Sequence, residues 1–162
     1  MKKFELTSET KINIFGKKLF RIKALISFAD VEAGETGGWV EKEGNVNQSG
    51  NAWVYGDAMV SGNAKVSDNA KVYGNAEVSG NAEVSDNAEV YGNADYTTIH
   101  GFGTQFRTTT FFRCKDKKVR VACGCFFGTI PEFREQVKNT RKGKIAEEYL
   151  MIADLMENHF EK

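Results

Sequence analysis

The feature that most constrains this chain is a repeat with two periods. From Val60 to Asp95 the sequence reads VSGNAKVSDNAKVYGNAEVSGNAEVSDNAEVYGNAD. A six-residue phrase recurs throughout, yet the residues ahead of each Asn cycle as SG, SD, YG and then start again. Val stands at 54, 60, 66, 72, 78, 84 and 90, and Ala at 52, 58, 64, 70, 76, 82, 88 and 94, which makes two apolar ladders. Each Ala precedes a Val by two, so A-x-V-x reads as a very short strand with Ala and Val facing inward and both x positions outward. Between strands stand Gly or Asp followed by Asn or Asp, residues that tolerate the left-handed backbone of a tight corner. One hexad is then one side and one corner. If three sides close a triangle, residue i lies under residue i+18, and the second period follows. A low-complexity linker would not keep Ala and Val in strict phase, whereas stacked repeats must, because each buries its apolar edge only against its neighbours.

On the outward positions this register stacks Tyr55, Tyr73 and Tyr91 in one column beside a column of Trp53, Lys71 and Glu89. It also sets Lys65 over Glu83, so two pairs bring opposite charges together in neighbouring coils. Asp68 and Asp86 hold the corner that lacks Gly. Val40 and Val46 fall in the Ala phase ahead of Ala52, which places the start of the repeats near Trp39. The tyrosine column with Trp53 is a candidate association surface, since Tyr and Trp are enriched in interface cores. Stacked tyrosines also stabilise neighbouring coils, and the two roles are compatible.

The phrase V-x-G-N-A-x resembles the hexapeptide repeat of left-handed parallel β-helix proteins, a family that includes many acyltransferases. In that family the repeats build the wall, while chemistry sits on inserted loops and a histidine between subunits. The hexads here run on without insertion. A broader resemblance covers almost the entire chain: LFRIKAL, GGWVEKEGNVNQSGNAWVYGDA, the repeats and VACGCFFGTIPEFREQV are similar to hexapeptide-repeat proteins of bacteriophages and prophages. It implies a phage origin and no particular mechanism. The expected fold class is mainly β, a short left-handed parallel β-helix over residues 39–96, with an N-terminal β-hairpin cap in 1–38 and a C-terminal ββαα module in 97–162.

Composition adds exclusions. Lys plus Arg and Asp plus Glu are 22 each, so the overall charge recruits neither polyanions nor an anionic membrane surface. No apolar run is long enough for a signal peptide or a membrane span, and the expected compartment is the cytoplasm of a bacterial host. Three cysteines without secretory context are expected as reduced thiols.

At the N-terminal end KINIF and KLFRIKAL alternate as strands, with Gly16-Lys17 as the turn. After Asp95 the Val phase becomes Tyr96 and Phe102 and the Ala phase His100 and Phe106, large residues suited to plugging the end of the prism. FRTTTFFRCKD and KKVRVACGCFF read as a hairpin. Thr129-Ile130-Pro131-Glu132 matches a capping box, predicting a helix to about Arg141 with Phe133 and Val137 inward. Gly143 breaks it, and a second helix aligns Ile145, Tyr149, Ile152 and Met156.

Candidate chemistry is sparse. In the acyltransferase reading His100 is the general base that deprotonates an acceptor before acyl transfer from coenzyme A, with Asp95 the one nearby carboxylate. Its phase instead points it inward, as a buried or end-capping residue. Cys114, Cys123, Cys125 and His159 add up to a zinc set in number, but C-x-C is not the usual knuckle spacing, and the cysteines read as packing residues. Lys138, Arg141 and Lys142, near Lys144, gather where the first helix ends, to be joined by Arg113, Lys115, Lys117, Lys118 and Arg120 at the hairpin tip. Such a cluster binds phosphates or nucleic acid when it shares a face with aromatics, and is otherwise a solvated surface. No phosphate loop is present and no cofactor is expected. The functional expectation is a non-enzymatic, homotrimeric binding protein, its stalk presenting end modules to a host defence protein or small signalling nucleotide. The alternative is a coenzyme A-dependent acyltransferase.

Overall fold

A computed structural model describes residues 1–161. The chain is mainly β with a C-terminal pair of helices, and its largest sheet is mixed. The strands are β1 (Phe4–Ile12), β2 (Lys18–Ala24), β3 (Thr36–Val40), β4 (Trp53–Val54), β5 (Met59–Val60), β6 (Lys65–Val66), β7 (Lys71–Val72), β8 (Glu77–Val78), β9 (Glu83–Val84), β10 (Glu89–Val90), β11 (Tyr96–Phe102), β12 (Arg107–Arg113), β13 (Val119–Cys123) and β14 (Phe126–Thr129). They are followed by α1 (Ile130–Thr140) and α2 (Gly143–Phe160).

The hexads pair as the double period requires. β4, β7 and β10 form one parallel ladder, with Trp53 beside Lys71 beside Glu89 and Val54, Val72 and Val90 in line. β5 and β8 pair through Val60 and Val78, and β6 and β9 through Val66 and Val84. Every one of these pairings spans eighteen residues. The Ala line from Ala52 to Ala88 and the Val line from Val54 to Val90 are at most 1 % exposed and form one continuous core. Small Ala and branched Val alternate there, so short strands approach closely and still fill the space between them. At the corners Asp68 and Asp86 have φ of 57° and 55°, the left-handed conformation that Gly62 and Gly80 adopt elsewhere. Asn51, Asn69 and Asn87 link into an amide ladder along one corner, at 3.0 and 3.3 Å.

The beginning of the repeats departs from the expected phase. β3 pairs with β5 through Trp39–Met59 and Val40–Val60, and Val46 bridges Val66, an offset of twenty residues. Val40 and Val46 thus occupy the Val line, and two additional residues fall between Val46 and Val54. That longer corner carries Gln48. Its Oε1 accepts from the N–H of Lys3 and of Phe4 at 2.7 and 3.2 Å, while its Nε2 donates to the Phe4 carbonyl at 3.1 Å. The extra length ties β1 to the repeats.

β1 and β2 form the expected hairpin, longer at its start than KINIF implied, and β2 pairs antiparallel with β3, which pairs parallel with β5. The hairpin thereby continues one ladder. On the other two, the first carbonyls are met by side chains: the Asn45 amide donates to Gly62 and Ala64 at 3.2 and 2.9 Å, and the Lys3 ammonium to Gly50 and Ala52 at 3.3 and 2.8 Å. An open edge is closed in each case. β3 lies against β4 so tightly that a Cβ on Gly37 would sit 2.6 Å from the Val54 carbonyl oxygen, and one on Gly38 2.5 Å from Val54 Cγ1.

The C-terminal part holds four strands rather than two, in the antiparallel order β11-β12-β13-β14. Its two faces close two cores. Phe112, Cys114 and Ala122 join the repeat core, while Phe111 and Val121 join Phe133, Val137, Tyr149, Ile152 and Met156 of the helices. Tyr96 packs on the repeat core as expected, but Phe112, Cys114 and Ala122, rather than Phe102 and Phe106, cover the end of the repeats: Phe102 packs against the helical core and Phe106 is 65 % exposed. Lys115 N–H donates to the Asn87 carbonyl at 2.9 Å, and Glu83 N–H to Thr110 Oγ1 at 3.0 Å, which stitches the sheet to the last hexads. The capping box forms as written in the sequence: Thr129 Oγ1 accepts from Glu132 N–H and Glu132 Oε1 from Thr129 N–H. Among the described residues no helix is long and apolar enough to cross a membrane.

Candidate binding surfaces

The tyrosines follow the ladder that carries them. Tyr55, Tyr73 and Tyr91 each succeed the Val of β4, β7 and β10, and their rings stack at centroid distances of 4.5 and 4.6 Å with planes 13° and 7° apart. Tyr91, at the end of the column, is 53 % exposed. Two of the three hydroxyls are anchored by carboxylates: Tyr55 donates to Asp30 at 2.8 Å and Tyr91 to Glu89 at 3.0 Å. The Tyr55 hydroxyl first, and then Lys71 at 3.3 Å, hold the Asp30 carboxyl below its usual range, while burial and Asp30 push the Tyr55 hydroxyl up. The column is therefore rigid and neutral, and one face of its terminal ring is open.

Trp53 is not part of this surface. It has the register expected of it, but β1 and the Phe28 loop fold over its ladder, and it is fully buried with Phe4 and Phe28 edge-on at 5.9 and 5.3 Å. Lys71 pairs with Asp30 from that same covering segment rather than with Glu89. Local periodicity assigns a face to a residue; it carries no information about what folds back onto that face.

The basic residues do not form one patch. Arg113 is held by Asp95 at 3.2 Å and the Phe160 carbonyl, and Arg120 by Asp116 at 2.8 Å, where the guanidinium holds the Asp116 carboxyl below its usual range. Lys117 and Lys118 border a groove of ≈ 620 Å³ with Phe160 and Pro131, beside the start of α1. Arg141, beyond the other end of α1, borders a different hollow together with Arg107. Arg107 and Arg113 stand at opposite ends of β12, about 20 Å apart at the usual strand rise. Lys138 faces Glu135 at 3.7 Å, and Lys142 is an exposed residue at the N-cap of α2. Clustering along the chain was misleading because α1 itself separates the two ends.

His100 is exposed, contrary to its inward phase, because β11 leaves the repeats at Tyr96 and pairs with β12, which resets the alternation. Its Nδ1 lies 3.2 Å from Thr108 Oγ1, in a shallow depression of ≈ 280 Å³ that Glu83 and Arg107 also border. Asp95 is engaged by Arg113 and by the Tyr91 N–H, so it does not orient the imidazole. The cysteines do not converge. Cys114 is buried at the Ala88 bridge, where burial pushes its thiol up to about 11. Cys123 accepts from Thr109 Oγ1 at 3.1 Å, Cys125 is exposed in the turn before β14, and His159 rests edge-on against Phe160 at 5.1 Å. No group of three or more His, Cys, Asp or Glu side chains among the described residues is placed to hold a metal ion.

Two features of these surfaces were not legible in the chain. Arg107 and Arg141 are far apart in sequence and are brought to one hollow only by the helix pair. Asp30 sits in an acidic loop that carries no periodic signal, and only the fold sets it against Tyr55. No family model matches this sequence, and no curated protein matches it either.

Proposed function

We propose that this chain is a non-enzymatic binding and oligomerisation protein. Its three parallel ladders act as the faces of a left-handed parallel β-helix, a short rigid stalk between two end modules. The observation that carries this reading is the stacked tyrosine column, whose terminal ring is 53 % exposed although its hydroxyl is already satisfied by Glu89. A flat, neutral aromatic strip beside polar positions is suited to self-association, because it offers rigid apolar area at little entropic cost. Self-association in threes, a phage origin and a host defence protein or small signalling nucleotide as target are the parts of the reading that rest on the resemblance of the repeats. Native mass spectrometry of the full chain purified from its phage-infected bacterial host tests all of them together. The expected result is a trimer carrying an additional mass, with Tyr91→Glu shifted to monomer at the same concentration. A wild type that remains monomeric at tens of micromolar would sink the association.

The exposure of His100 in a depression shared with Glu83 keeps one enzymatic alternative in play. That alternative requires acetyl-coenzyme A to bind and turn over, with loss of turnover in a folded His100→Ala.

A further inference from the structure

The hollow between the β13–β14 turn and the ends of the two helices is lined by two guanidiniums and contains no acid. Arg107 enters from the start of β12 and Arg141 from the end of α1; Tyr149 of α2, Phe126 of β14 and the thiols of Cys123 and Cys125 complete the wall. Neither arginine has a carboxylate within salt-bridge distance among the described residues, whereas Arg21, Arg113, Arg120 and Arg134 all do. In a chain with as many acids as bases, two unpaired guanidiniums facing one acid-free hollow are a concentrated positive potential.

The surrounding backbone makes room for them. Gly124 turns with φ of 60°, and a Cβ there would collide with the Arg107 guanidinium, so the flat group rests on bare backbone. Gly103 does the same for Tyr149: a Cβ on it would lie 2.5 Å from the Tyr149 hydroxyl. The Tyr149 ring itself is buried against Phe133. Burial pushes its hydroxyl up and Cys123 adds to this, while Arg141 and Arg107 pull the other way, so both guanidiniums act on the same oxygen. The hydroxyl stays protonated at neutral pH and is a donor, as are both arginines.

We propose that this hollow binds a small organic oxyanion, a phosphate monoester or carboxylate on a flat apolar group, gripped by Arg107 and Arg141. The anion sits between the guanidiniums, which match an oxyanion's geometry two donors at a time, and its apolar part lies along Phe126. The volume of ≈ 240 Å³ is below the roughly 300–1,000 Å³ of pockets that take drug-sized ligands, so the ligand is small. The site stands independently of the association proposed above.

Calorimetric titration of the full chain at low ionic strength tests it, with phenyl phosphate, benzoate and phenol as probes. At least one of the two anions is expected to bind one per chain, and phenol not measurably; which anion binds tells phosphate from carboxylate. Arg107→Gln and Arg141→Gln should each weaken binding about tenfold or more, Arg141→Lys less, and Lys23→Gln, exposed on β2, not at all. Both arginines are exposed, so the variants should fold, and circular dichroism checks that. Bound anion should also slow alkylation of exposed Cys125. The site is disproved if neither anion binds, if phenol binds as tightly, if both Gln variants bind like wild type, or if Cys125 stays unprotected by bound anion. A monomer that binds phenyl phosphate keeps this site and loses the association; a trimer that binds neither anion does the reverse.

Discussion

Lys3 is the residue whose environment is least like its composition would imply. Its side chain is 1 % exposed, its ammonium bridges the Gly50 and Ala52 carbonyls and stands 4.9 Å from the Phe28 ring, and burial lowers its pKa to about 8. Loss of water costs the charged form more than two carbonyls and a ring return. The pH dependence follows. Between about pH 8 and the ordinary value of 10.5 the unfolded chain holds a proton on Lys3 that the folded chain has released, so folding gains as pH rises through that window. Measured against Lys3→Met by urea denaturation, the stability of wild type should therefore improve from pH 7.5 to pH 10; a difference that stays flat or shrinks would refute it. Nothing in Met-Lys-Lys at the start of a chain announces this role, because it arises from an unpaired carbonyl edge some fifty residues away. Trp53 makes the same point in reverse, as its outward phase was correctly read and its burial was decided by β1 and Phe28.

At the scale of elements, the repeat was legible almost completely. Side-chain alternation fixes the inward Ala and Val, and Gly, Asn and Asp fix the corners, so each two-residue strand is specified by its own hexad. The consequence is a sharp difference between two deletions. Removing residues 67–84, one whole eighteen-residue cycle, keeps Tyr55 over Tyr91 and the three-ladder phase, and should leave a folded chain with intact circular dichroism. Removing the single hexad 67–72 sets Tyr55 over Ser79, so the stack on Tyr55 is lost, and rotates everything after residue 72, the C-terminal sheet included, by one ladder relative to the N-terminal hairpin. The six-residue deletion should be the less stable of the two despite being shorter; the opposite order would overturn the three-ladder register. The capping box was equally readable, since its two bonds join residues three apart. β11 and β14 were not, for YTTIHGF continues the hexad count and FFGT runs straight into a helix. Their pairing partners, not their own spacing, make them strands.

In the whole molecule, one sheet separates two cores. Phe112 and Ala122 face the repeats, and Phe111 and Val121 face the helices. Phe133 lies wholly in the second core, edge-on to Phe111 and Tyr149 at 6.1 and 5.8 Å. Phe133→Ala should cost about 3–5 kcal/mol of stability in the helical module. Hydrogen exchange should then speed up in α1 and α2 while the ladder amides of β4 to β10 keep their protection; uniform acceleration would mean a single cooperative unit. The sequence by itself determined the local order of this protein: hexad strands, corners, eighteen-residue register and both helices, because each depends on residues near one another in the chain. Only the tertiary structure decided which faces are covered, how the open edges are closed, and that Arg107 and Arg141 meet. Those outcomes depend on segments distant in sequence competing for the same surface, and no local pattern encodes that competition.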